Sequence, residues 1–286
     1  MSDQRRRFAA RFTSPGTGQL ARRMPAIEIH SLDDIRLAPY RSLKTTNATR
    51  WADSFIAEGD KLVRRLLASD FQAKSLLVSR RWLEEFAPLA PANCPVLVVP
   101  DEWIQTIVGF NFHRGVLACG LRKPSPPLED LIPNGSVRST LVVCPDVQDP
   151  ENLGAILRNS SALGVQGVVL GERSADPFSR RVLRVSMGAA FQLPIVIAED
   201  LAPLLERLAD DFSCELWAAV TDADAVAFDR LERPERVALL LGSEGHGLEP
   251  RWIARCHRRI TIPMRPGVDS LNVAVAAGIL LHGLTR

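Results

Sequence analysis

The order of apolar runs along this 286-residue chain predicts an α/β protein whose C-terminal half is built on a mostly parallel sheet. Two observations carry the prediction. From Ser139 onward, short runs rich in Val, Leu and Ile alternate with longer stretches of helical periodicity, as strands do when crossover helices join them. Three segments rich in glycine, proline and small polar residues also follow directly on such runs. They fall at the expected carboxyl ends of strands, where ligands bind on open parallel sheets.

The first 24 residues hold six arginines (5, 6, 7, 11, 22 and 23) against Asp3, a net charge of +5, while the rest carries 29 basic and 32 acidic residues. Residues 1–24 thus read as a basic flexible tail: a solvated terminus, an accessory arm on nucleic acid, or an organelle transit segment. Within 25–122 a helix is predicted over 59–69, with Phe55, Val63 and Leu67 on or beside it, and short buried strands at 76–78, 96–99 and 116–119. Residues 123–138 contain four prolines, a glycine and no periodicity, and are the candidate linker. The region 139–286 then offers strands at 140–144, 168–171, 194–197, 216–220, 237–242 and 260–262. Helices are predicted near 152–163, 179–187, 200–210 and 249–256, and a last one from about 270.

Composition narrows the setting. Hydrophobic residues make up 46% of the chain, enough for a substantial core, yet no apolar run approaches the roughly 18 residues of a membrane span. Cys94, Cys119, Cys144, Cys214 and Cys256 are odd in number and scattered, and the five histidines lack ligand spacing. This argues against a disulfide framework and against a metal site, and for a cytoplasmic protein.

Three segments can carry chemistry. In Leu241-Gly242-Ser243-Glu244-Gly245-His246-Gly247-Leu248, three glycines within six residues permit positive φ and close approach of backbone to a ligand, or a bare turn. The segment is neither a Walker loop nor a dinucleotide fingerprint, since Pro250 stands where the next glycine would fall. In the second segment, Ile262-Pro263-Met264 ends a strand and Ser270-Leu271-Asn272-Val273 opens a helix. Ser270 is the expected N-cap, and Asn272 lies in the first turn beside the loop. In Asp149-Pro150-Glu151-Asn152-Leu153-Gly154-Ala155-Ile156-Leu157-Arg158, Asn152 can cap a helix that carries Arg158 among apolar residues. A charge there needs a partner, either an acid such as Glu244 or a phosphate or reacting hydroxyl of a ligand. Arg180 and Arg184, at i and i+4, and Arg251, Arg255, Arg258 and Arg259 could add a basic surface or simply be solvated.

In this order and spacing the three segments resemble the motifs of the SpoU (TrmH-like) RNA 2′-O-ribose methyltransferases of the SPOUT superfamily. The match continues through Arg184-Val185-Ser186-Met187-Gly188-Ala189 and Leu193-Pro194. Phe55, Glu58-Gly59, Val63 and His113-Arg114-Gly115-Val116-Leu117-Ala118 are similar to the small ribosomal-protein-like substrate-binding domain that often precedes that catalytic domain. The resemblance implies a C-terminal trefoil-knot domain over 139–286, an RNA substrate-binding domain over 25–122, S-adenosylmethionine as cofactor and a homodimer whose sites draw on both chains. It implies Gly242, Ile262, Met264 and Leu271 as cofactor contacts. Arg158, Glu244, Ser270 and Asn272 become the catalytic set, and Asn152, Arg114 and Arg184 the RNA contacts. Ala274 stands where relatives usually have serine. A guanidinium with a pKa above about 12 is a poor base. Arg158 is therefore expected to grip the target phosphate and stabilise alkoxide charge, with Ser270 or Glu244 helping to move the proton. The separate N-terminal domain favours rRNA over tRNA as substrate. Two rival classes remain: a non-catalytic RNA-binding protein of the same fold, and a nucleotide-dependent oxidoreductase.

Overall fold

The computed structural model describes residues 26–41, 53–109, 115–132, 138–243 and 245–286. The basic tail, Arg114, Glu244 and part of the 123–138 segment lie outside the described residues. In chain order the described elements are β1 (Ile27–Glu28), β2 (Ser54–Glu58), α1 (Asp60–Leu67), β3 (Ala73–Ser79), α2 (Leu83–Phe86), β4 (Val96–Val99), α3 (Trp103–Val108) and β5 (Val116–Leu121). They continue as β6 (Ser139–Cys144), α4 (Pro150–Ala162), β7 (Gly167–Leu170), α5 (Arg180–Val185), β8 (Ile195–Ile197), α6 (Leu201–Asp210), β9 (Glu215–Ala219), β10 (Val226–Ala227), β11 (Arg236–Leu240), α7 (Pro250–Ile253), β12 (Arg258–Thr261) and α8 (Val273–Leu284).

The C-terminal strands form one parallel sheet in the order β10-β12-β9-β11-β6-β7-β8. The chain lays β6, β7 and β8 toward one edge and returns beyond β6 to place β9. It then inserts β11 between β6 and β9. Alternation along β6 shows why the sheet is covered twice. Val142 and Cys144 pack with α4, α5 and α8, while Leu141 and Val143 face the other way onto α6 and Trp252.

α4 and α5 approach closely because Gly154 has no side chain: a Cβ there would stand 2.7 Å from Val185 Cβ. The helix-propensity cost of a mid-helix glycine, roughly 0.5–1 kcal/mol, is accepted for that contact. α8, rich in small residues, lies on the same side, and Asn159 Nδ2 of α4 donates to Ala274 O at 3.1 Å. The sequence starts this last helix near 270, whereas the structure starts it at Val273.

The N-terminal strands form a mixed sheet in the order β1-β4-β3-β5-β2, with the three strands predicted from sequence at its centre. The apolar cluster on one face of this sheet runs without a break into the C-terminal core. Phe55 and Phe71 stack or tilt against Phe178 and Phe191 at the junction. Two ion pairs flank the rings: Arg180 of α5 with the buried Glu58, and Arg122 with Asp176 at 2.9 and 2.5 Å. The described part of 123–138 is docked rather than featureless. Ser125 Oγ accepts from Ile197 N at 3.1 Å on the edge strand β8, and Leu131 fills the space above Gly167. No helix among the described residues is long and apolar enough to cross a membrane.

Candidate active site

A cavity of about 410 Å3 opens across the carboxyl ends of the adjacent strands β12, β9 and β11. Its walls are the loop after β9 (Val220, Thr221, Asp222), the turn after β11, the segment leaving β12, and the first turns of α8. Gly242, Ile262, Met264, Leu271 and Ser270 all line it, so five sequence-predicted residues meet here. The turn after β11 is a tight reversal: Ser243 N donates to Gly247 O at 3.0 Å and Gly247 N to Ser243 O at 2.9 Å. Gly242 permits it, because a Cβ there would run into the backbone of Gly247 and Leu248. Gly247 has φ +65°. The lining mixes apolar side chains (Leu248, Ile253, Ile260, Leu280) with polar ones (Thr221, Asp222, Ser243, Ser270). Such a lining suits a small ligand that has both apolar and hydrogen-bonding parts.

Of the other predicted residues, Asn152 and Arg158 lie on α4 and Asn272 at the start of α8. Here the structure corrects two capping assignments. Asp149, not Asn152, caps α4, accepting from Glu151 N at 3.0 Å with Pro150 in the first turn. Asn272, not Ser270, caps α8, accepting from the amides of Ala274 and Val275 at 3.0 and 3.2 Å, while Ser270 stays exposed in the loop. Asn152 joins the two caps: its Nδ2 donates to Asp149 at 3.0 Å and its Oδ1 accepts from Asn272 Nδ2 at 2.9 Å. Expected to face RNA, Asn152 is only 6% exposed and spends its amide inside the protein.

Arg158 is also placed differently from the sequence reading. Leu153, Ile156 and Leu157 are buried, but Arg158 is exposed and makes no hydrogen bond or ion pair among the described residues. Helical phase explains this, since Glu151, Ala155 and Arg158 share one face at i, i+4 and i+7. Glu151 and Ala155 line an open groove of about 640 Å3 with Asn152, Asn159, Val275 and Ile279, and Arg158 stands beside it rather than on the 410 Å3 cavity.

The expected basic surface is largely neutralised. Arg251 pairs with Glu249 at 2.6 Å, Arg258 with Glu215 at 3.0 Å, and Arg259 with Asp222 at 3.1 Å and with Asp224. Arg180 is committed to Glu58, whereas Arg184 is exposed on α5. The hydrogen bonds and charge of Asp224 and Asp222 hold the Arg259 guanidinium above its ordinary pKa. Burial pushes the thiols of Cys144 and Cys256 up to about 12, which suits packing rather than nucleophilic work. The sequence reading missed the loop after β9, with Thr221 and Asp222. Its only signal was position, at the carboxyl end of a central strand.

Comparison with known proteins decides the family. The model of the SpoU rRNA Methylase family matches residues 139–282. The chain belongs to that family. An uncharacterised tRNA/rRNA methyltransferase of Mycobacterium bovis is 36% identical over 89% of this chain and 90% of its own length. A 23S rRNA (guanosine-2′-O-)-methyltransferase of Acinetobacter baylyi is 28% identical over 71% of this chain and 84% of its own. Among solved structures, an AdoMet-bound rRNA methyltransferase from Sinorhizobium meliloti superposes with a TM-score of 0.77 at 29% identity, over 90% of this chain and 96% of that one.

Proposed function

We propose that this SpoU-family protein transfers a methyl group from S-adenosylmethionine to a ribose 2′-hydroxyl of structured rRNA, as a homodimer. The observation that carries the reading is the cavity at the strand ends, where Gly242, Ile262, Met264 and Leu271 converge with Ser270. Its mixture of apolar and polar lining residues is compatible with an adenosyl group. When bound, the cofactor supplies an activated methyl on a sulfonium leaving group. The protein's task is then to orient the 2′-oxygen at about 3–3.5 Å and to ease removal of its proton. Ser270, which is exposed and lines the cavity, is assigned the relay of that proton, and Glu244 is assigned as the second group in the transfer. Arg158 is assigned the target phosphate and the developing alkoxide charge, for which a planar, permanently charged fork is suited. The trefoil threading of the C-terminal domain and RNA binding by the N-terminal domain, with Arg114 and Arg184, are part of this proposal.

The homodimer is supported by the apolar face of α8, where Val275 and Ile279 are 51% and 44% exposed beside the groove of α4. Similarity to the rRNA methyltransferases of Acinetobacter baylyi and Sinorhizobium meliloti supports rRNA, and similarity to the tRNA/rRNA methyltransferase of Mycobacterium bovis keeps tRNA as the alternative. The test is transfer of labelled methyl from S-adenosylmethionine to unmodified rRNA and tRNA pools by wild type and Arg158→Ala. Label in rRNA that survives alkali as a 2′-O-methylated dinucleotide, and drops by roughly a hundredfold or more in the variant, is expected. Label confined to tRNA changes the substrate. Failure to bind the cofactor in either protein overturns the enzyme reading in favour of a non-catalytic RNA-binding protein.

A further inference from the structure

We propose that Asp222 is a cofactor-reading residue that accepts hydrogen bonds from the ribose hydroxyls of the adenosyl group, and that Arg259 is the positioning residue that aims it. The inference rests on the S-adenosylmethionine reading above. Among the described residues, the ionisable side chains lining the cavity are Asp222, His246 and Asp269. Asp269 belongs to the irregular segment between β12 and α8, and His246 to the exposed tip of the turn after β11. Asp222 differs from both because its loop is pinned.

Val220 N donates to Ile260 O at 2.9 Å, extending the β9–β12 pairing to the loop's first residue. Ala225 N donates to Asp222 O at 3.1 Å and closes a turn over the aspartate, and β10 then returns to pair with β12. Arg259, itself on β12 between β9 and β10, donates from Nη1 to Asp222 Oδ2 at 3.1 Å and from Nη2 to Asp224. The loop is held by its backbone bonds, and the exposed carboxylate meets a guanidinium carried by the sheet. Its Oδ1 carries no hydrogen bond to any described residue.

The same arrangement selects the ligand group. Arg259 occupies one carboxylate oxygen and leaves the other as a free acceptor, which a ribose hydroxyl can meet as a donor. Carboxylates at strand ends bind ribose hydroxyls in unrelated nucleotide folds for this geometric reason: one acceptor group can meet adjacent hydroxyls. Thr221, next to Asp222, also lines the cavity and adds a hydroxyl for the sugar, while apolar lining residues are left for the base.

The experiment is titration calorimetry with S-adenosylhomocysteine and its 2′-deoxyribose counterpart, against wild type, Asp222→Ala, Asp222→Asn and Arg259→Gln. A hydrogen bond to a charged group contributes roughly 1.5–3 kcal/mol, so wild type should prefer the ribose ligand by roughly tenfold to hundredfold. Asp222→Ala should bind both ligands with one weak affinity, and Arg259→Gln should lose part of the preference while keeping the carboxylate. Asp222→Asn, close to isosteric, gives the same reading if the alanine variant does not fold. Undiminished preference in Asp222→Asn, or equal weakening of both ligands in Asp222→Ala, overturns the assignment. Absence of binding to wild type instead overturns the cofactor reading itself.

Discussion

At Asn272 the side-chain oxygen receives the amides of Ala274 and Val275 while the side-chain nitrogen reaches Asn152, so a single amide starts α8 and ties it to α4. Asn272→Ala removes the cap and leaves the buried Asn152 oxygen without its donor, an expected loss of about 2 kcal/mol. Asn272→Asp keeps an acceptor where the helix dipole favours negative charge, yet it cannot donate to Asn152. Flipping Asn152 would only turn its oxygen toward Asp149. Urea denaturation should therefore rank wild type above the Asn272→Asp variant, and that variant above Asn272→Ala. Equal stability of wild type and Asn272→Asp would show that the bridge contributes nothing. The capping error at α8 has this origin, whereas at α4 Asp149 followed by Pro150 is a local signal. Ser270 and Asn272 are both capping residues two positions apart, and the choice between them is made by a partner 120 residues away. Arg158 is more legible than the sequence reading allows, since the phase of Leu153, Ile156 and Leu157 already turns it outward.

The strands β3 to β9, β11 and β12 are visible in the sequence, because a sheet covered on both faces needs uninterrupted apolar runs. The two-residue strands β1 and β10 are not, being too short for any period to register. The edge strand β2 is hidden as well, since Phe55 reads from sequence as a flank of α1. Likewise the 123–138 segment looks featureless because its structure comes from docking onto β8 and Gly167, not from local periodicity. α8 shows the complementary case. Its apolar residues run all round the helix, Ala277 and Leu281 facing the core while Val275 and Ile279 face outward. If a second copy covers that outer stripe, Val275→Glu should convert the dimer to monomers in sedimentation equilibrium. Methyl transfer should be abolished with it, because Arg158 lies beside the groove and not on its own chain's cavity. A variant that stays dimeric, or a wild type that is monomeric, would remove this face from the proposal.

On the scale of the whole molecule, the two sheets share one apolar cluster, and buried ion pairs tie them at the junction. Glu58 ends β2 with its side chain 5% exposed, and Arg180, its partner on α5, is 18% exposed. A buried pair of this kind adds little over an apolar contact, but removing one member strands the other charge at a cost of roughly 3–5 kcal/mol. Glu58→Ala should therefore destabilise strongly, and Arg180→Ala placed on top of it should recover part of the loss instead of adding to it. The location of the damage matters as much as its size. In wild type the shared core should make β3 and β6 exchange their amide hydrogens at similar free energies, as parts of one cooperative unit. In Glu58→Ala the ion pair at the junction is lost, so β3 should become exchangeable well before β6. Equal protection of both strands in that variant would mean that the aromatic packing of Phe55, Phe71, Phe178 and Phe191 joins the two halves without help from the ion pair.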